Sequence, residues 1–138
     1  MASLYLLDTN ILIAAMKGRP EVRKRLEAQQ ISAIRLSAIV MGELEFGAEK
    51  SAYGDRNRAR LATLTQRLPL VGIDQDTIRY YAKIRALLER HGTPIGANDT
   101  WIAAQALAIN AVLVTDNERE FSRVPGLVVE NWLTDTES

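Results

Sequence analysis

The stretch Leu4-Tyr5-Leu6-Leu7-Asp8 is four apolar residues closed by a carboxylate, and Ala111-Val112-Leu113-Val114-Thr115-Asp116 has the same form near the other end of the chain. Short apolar runs bounded by polar residues fit strands buried on both faces, as in a parallel sheet. Three further runs share this character: the stretch around Ala33 to Leu36, Leu70-Val71-Gly72-Ile73 and Leu127-Val128-Val129. Helix signals lie between them. Pro20 is placed to open a helix over Glu21 to Ala28, because proline is tolerated in a first turn. Ser37 is placed to cap a helix running to about Lys50, and Asp55 to cap another in which Leu61, Leu64 and Leu68 share one face. Asp74 or Asp76 precedes a helix over Thr77 to Arg90 that Gly92 ends, and Asn98 to Asn110 reads as a buried helix. Strand and helix alternate, which predicts an α/β fold with a central parallel sheet flanked by helices and right-handed crossovers.

No repeat, low-complexity run or linker interrupts the 138 residues, so residues 1–138 are expected to form a single domain. With 47% hydrophobic and 25% charged residues, the composition is that of an ordinary globular chain and argues against fibres and disorder. Cysteine is absent, which rules out a disulfide scaffold, a thiolate zinc site and a cysteine nucleophile. The single histidine, His91, excludes a His-rich metal site and argues against a Ser-His-Asp triad. It stands before Gly92 at a helix C-terminus, where a cation is favourable. Seventeen Lys and Arg balance seventeen Asp and Glu, so a strongly salt-steered DNA-coating protein is not expected. No stretch approaches the roughly 20 apolar residues of a membrane span. The opening MASLYLLDTN lacks the basic flank of a signal peptide, and a cytoplasmic location is expected. Gly42 and Gly47 have P-loop spacing, but Ala48 stands where the lysine belongs.

Open parallel sheets place their sites at the carboxyl ends of the strands. Asp8 and Asp116 follow two strands at that rim, Asp99 lies in the first turn of the helix after Gly96, and Glu43 lies in the second turn after Ser37. Each acid alone has an ordinary reading as a cap, a turn former or a solvated position. Together they are costly: two carboxylates about 4 Å apart repel by about 4 kcal/mol at an effective dielectric of about 20. Mg²⁺ or Mn²⁺ relieves that repulsion through oxygen ligands alone. The chemistry served by such a site is metal-assisted phosphodiester hydrolysis, which requires neither histidine nor cysteine.

Four blocks, LLDTNILIA at Leu6–Ala14, LSAIVMGELEFGA at Leu36–Ala48, GTPIGANDTWIAAQAL at Gly92–Leu107 and LVTDNEREFSRVPGL at Leu113–Leu127, resemble the PIN-domain family and within it the VapC-type toxin ribonucleases. The resemblance runs from Leu6 to about Trp132. It implies a PIN fold, a three-layer arrangement with a protruding helical pair that fits Ser37–Lys50 and Asp55–Leu68. It also implies an Mg²⁺- or Mn²⁺-dependent endoribonuclease that cuts tRNA or other structured RNA, such as rRNA loops, as the toxin of a toxin–antitoxin pair. Such proteins are usually homodimers, and a VapB-like antitoxin wraps the toxin and blocks the acidic pocket with a basic side chain. Asp8, Glu43 and Asp99 match the family's most consistent acids as catalytic and metal-binding residues. Asp116 matches a more variable fourth, where relatives often carry Asn, and Glu120 is a nearby acid that would share its role or stand solvated on a short helix. Thr9 and Thr115 match hydroxyls that support the acids, or serve as strand-end turn residues. Arg56, Arg58, Arg60 and Arg67, or Arg19, Arg23, Lys24 and Arg25, would hold an RNA backbone or form solvated faces. Tyr53, Tyr80 and Tyr81 would stack bases or pack, with Tyr81 favoured for packing.

Two other functions stay open at this level. A metal-dependent phosphatase or phosphotransfer receiver would also carry acids at strand ends, although Asn10 stands where a second acid would follow Asp8. An RNA- or protein-binding module with a degenerate metal site would bind without cutting.

Overall fold

The computed structural model describes residues 3–134. Five strands form one sheet: β1 (Leu4–Leu7), β2 (Ile34–Ser37), β3 (Leu70–Val71), β4 (Ala111–Val114) and β5 (Val129–Glu130). All pairings are parallel and the order is β3-β2-β1-β4-β5. The chain builds outward from β1 to β3 and then crosses back to place β4 on the other side of β1. That reversal makes the gap beyond the carboxyl ends of β1 and β4 the switch point at which sites form in such sheets. The register pairs Leu7 with Val114, so Asp8 and Thr115 emerge side by side.

Seven helices flank the sheet: α1 (Thr9–Met16), α2 (Pro20–Glu27), α3 (Ala38–Lys50), α4 (Gly54–Arg67), α5 (Gln75–Arg90), α6 (Ala97–Ala108) and α7 (Glu118–Phe121). Several starts follow the expected chemistry. Pro20 opens α2. The Ser37 hydroxyl accepts from Ile39 N and Val40 N at the head of α3. Asp74 caps α5 through Thr77 N, and Gly92 follows its end at φ +69°, a conformation that suits glycine. The core lies between the sheet and helices α1, α3 and α6, with Leu6, Leu36, Leu113, Ile11, Val40 and Ile102 wholly buried. Ala103, Ala104 and Ala106 are also wholly buried, and their small side chains let α6 lie close against the sheet.

Three expectations are corrected. Asp55 does not cap α4: the helix begins one residue earlier, and Asp55 sits in its first turn, where it pairs with Arg58. Gly54 is required there, since a Cβ would collide with the Ala48 carbonyl oxygen. Leu70–Ile73 is not a buried strand. Only Leu70 and Val71 pair, on one side, and Leu70 and Ile73 remain exposed because β3 is an edge. The last strand lies later than the run Leu127–Val129 suggests, at Val129–Glu130, and leaves Val128 exposed. Helix α1 between Asp8 and Pro20 was marked by no signal beyond the acid at its head. The helical pair does form, with α4 packed back along α3.

Candidate active site

Asp8 ends β1 and begins α1, so its side chain is bound at both oxygens. One accepts from Thr9 N at 2.8 Å, and the other accepts from the Thr115 hydroxyl at 2.7 Å across the β1–β4 gap. The Thr115 hydroxyl also accepts from Asn117 N, which fixes the turn after β4. Glu43 projects from α3 and is reached from two directions. Thr9 Oγ1 donates to one oxygen at 3.3 Å, and Asn98 Nδ2 donates to the other at 3.4 Å. Asn10 Nδ2 donates to both oxygens of Asp116, at 3.2 and 3.3 Å, and Asn117 Nδ2 donates to Glu120 at 2.7 Å. Four acids, Asp8, Glu43, Asp116 and Glu120, are thus held by neutral donors along one rim.

Cations are missing from that network. Among the described residues, no ion pair involves Asp8, Glu43, Asp99, Asp116 or Glu120. Burial pushes the Asp8 carboxyl up, against the lowering effect of Thr115 and Thr9, and the charge of Asp116 raises it further. Asp99 is pushed up to about 6, first by desolvation and then by Asp8, Glu120 and Glu43. The groups that raise Asp99 include both other acids of the expected core set and Glu120.

A model of the PIN domain matches residues 5–127. Ribonuclease VapC2 of Rickettsia felis is 39% identical over 131 residues, spanning 94% of this chain and 98% of that protein. The tRNA(fMet)-specific endonuclease VapC of Salmonella typhimurium is 40% identical over 129 residues, spanning 93% of this chain and 97% of that protein. This chain belongs to the PIN-domain family, among its VapC ribonucleases. The fold agrees: the crystal structure of VapBC2 from Rickettsia felis bound to a DNA fragment from its promoter aligns with a TM-score of 0.85 at 38% identity, covering 94% of this chain and 98% of that one.

The donor set of this PIN domain suits a hard divalent ion. It is made only of carboxylate, hydroxyl and amide oxygens and carries negative charge that, among the described residues, no ion pair offsets. Among the described residues, no three His, Cys, Asp or Glu side chains stand ready as a ligand group. Three amides carry roles that no sequence motif announces: Asn10, Asn98 and Asn117 each hold an acid that is distant in sequence or set on the next turn. Their signal is proximity alone, since each lies within two residues of a site acid. Of the arginines, Arg58 is held by Glu49 and Asp55, and Arg19 by Glu21. Tyr81 stacks on Trp101 with centroids 3.7 Å apart, which makes it a packing residue. Among the described residues, no helix is long and apolar enough to cross a membrane.

Proposed function

We propose that this chain is a divalent-metal-dependent endoribonuclease that acts as the toxin of a toxin–antitoxin pair, cutting tRNA or another structured RNA and so halting translation and growth. The observation that carries this is the gathering of Asp8, Glu43, Asp99 and Asp116 at the switch point, with neutral donors on Asp8, Glu43 and Asp116 and, among the described residues, no ion pair on any of the four. The naming of relatives as ribonucleases, one of them specific for tRNA(fMet), supports the same reading.

Asp8 and Asp99 are the principal metal ligands, Glu43 completes the shell or orients the attacking water, and Asp116 acts directly or through water. Glu120 belongs with Asp99, because its charge is felt there, whereas Asp116 acts on Asp8. Mg²⁺ is the expected ion and Mn²⁺ a substitute; when bound, it would lower the pKa of a water and offset charge on the leaving oxygen. Thr115 and Thr9 N hold Asp8 as an ionised acceptor, and Thr9 with Asn98 fixes both oxygens of Glu43. The described residues act as one nuclease domain in the cytoplasm, as a homodimer, with a VapB-like antitoxin as the neutralising partner. Solved relatives are VapBC complexes, which supports that partner.

The test is to map RNA ends after brief induction of the protein and of Asp99→Asn. New ends and growth arrest that disappear in the mutant, together with in vitro cleavage abolished by EDTA, are expected. RNA binding without any mutant-sensitive cut would replace this reading with a binding module that has lost its chemistry.

A further inference from the structure

Glu43 lies at the mouth of a groove, and the rest of that groove is not acidic. On α3, Glu43, Phe46, Gly47 and Lys50 fall at i, i+3, i+4 and i+7, a single stripe leading away from the acids. The first three of them line a cavity of about 430 Å³ walled on the other sides by α1 and α4. Its floor is apolar, with Ile13 and Leu61, while Lys17 and Arg60 stand at its edge. Neither cation makes an ion pair among the described residues, and both are exposed. The Phe46 ring is 63% exposed with Lys50 Nζ 5.0 Å from its centroid. Nothing lies within 4 Å of the position a Cβ would take on Gly47, so the groove is open at that point.

An apolar slot with an exposed ring, two unpaired cations at its edge and a catalytic acid at its mouth matches the parts of a nucleotide. A base is apolar on its faces and needs a flat partner, whereas its flanking phosphates need cations. The volume lies within the roughly 300–1,000 Å³ of small-ligand pockets. We propose that this groove between α1, α3 and α4 is a subsite for one unstacked nucleobase of the RNA next to the scissile phosphate. Phe46 is the stacking surface, and Lys17 and Arg60 are the phosphate contacts. The proposal rests on the endoribonuclease reading and narrows it: the substrate must present a base free of its helix, as a loop or single strand does and a continuous duplex does not.

Binding is measured in EDTA, where no cleavage occurs, by anisotropy of a fluorescein-labelled short single-stranded RNA with the full chain. Gly47→Trp fills the slot one helical turn from Glu43 and is expected to weaken binding about tenfold. Lys17→Gln and Arg60→Gln are each expected to lower the salt dependence of binding by about one counterion, and Arg79→Gln on exposed α5 to leave it unchanged. With 2-aminopurine in the RNA, quenching on binding is expected in the wild type and lost in Phe46→Leu. Circular dichroism checks that each variant is folded; if Gly47→Trp is not, Phe46→Leu and the two charge variants decide. Wild-type affinity in folded Gly47→Trp overturns the proposal. So does a Gly47→Trp protein that binds RNA normally but no longer binds its antitoxin, which would make the groove a protein-docking surface. RNA bound through the groove but never cut with Mg²⁺ or Mn²⁺ supports the subsite while removing the endoribonuclease reading.

Discussion

At Asp99 the carboxyl is half-buried, three other acids bear on it, and its pKa rises from 3.8 to about 6. Below about pH 4 both folded and unfolded chains hold the proton. As the pH rises from there through about 6, the unfolded chain ionises first, so stability is lost across that window. Asp99→Asn is therefore expected to stabilise the metal-free protein by about 1 kcal/mol at pH 7.5, after allowance for solvent screening, with the gap closing near pH 4. Urea melts in EDTA at the two pH values measure it. The same substitution removes cleavage, which separates the cost of the site from its use. Thr115 acts in the opposite direction, since its hydroxyl lowers the Asp8 pKa. Thr115→Val is expected to slow cleavage about tenfold at pH 7 and to move the acid limb of the pH–rate profile upward. The acids at this scale were readable in the sequence because each closes an apolar run or opens a helix. Asn10, Asn98 and Asn117 were not, because an uncharged amide serves equally well as a cap, a turn or a solvated residue.

Among the elements, α3 and α6 carry Glu43 and Asp99, and the head of α3 is tied to α6 by a buried side chain. Gln105 is wholly buried. It accepts from the Ser37 hydroxyl at 2.6 Å at the head of α3 and donates to Val71 O and Gly72 O at 2.9 and 3.0 Å beside β3. Gln105→Leu keeps roughly the same bulk but strands these partners. A loss of about 2–3 kcal/mol in urea unfolding is expected, with cleavage reduced in the protein that remains folded. Ser37 was legible as a cap, but its second partner was not, since no local pattern links residues so far apart in sequence. Edge and interior differ for the same reason. Leu70–Ile73 is as apolar as β1, yet only the partners on either side decide whether a strand is buried. Helix α1, with the sequence TNILIAAM, follows β1 without a break in hydrophobicity, so only the Asp8 cap separates the two.

At the scale of the molecule, several exposed apolar residues fall in one short segment of chain. Leu70, Ile73, Ile78 and Tyr80 follow one another from the edge strand into the start of α5, and all are open to solvent. Exposed apolar side chains on a globular chain are candidates for an association surface. It suits the proposed homodimer: Ile78→Glu is expected to convert a dimer into a monomer on size exclusion with light scattering, with helicity unchanged. The sheet order was legible only as far as its parallel character, since the crossing of β4 back to β1 depends on packing across the whole chain.

That crossing has a bearing on synthesis. β4 lies between β1 and β5, and the hydroxyl that grips Asp8 belongs to a residue 107 positions later. A nascent polypeptide still on the ribosome and ending before Ala111 has the first carboxylate but neither the strand beside it nor the threonine that orients it. The grip on the first carboxylate is therefore completed only once β4 has been made and has taken its place between β1 and β5.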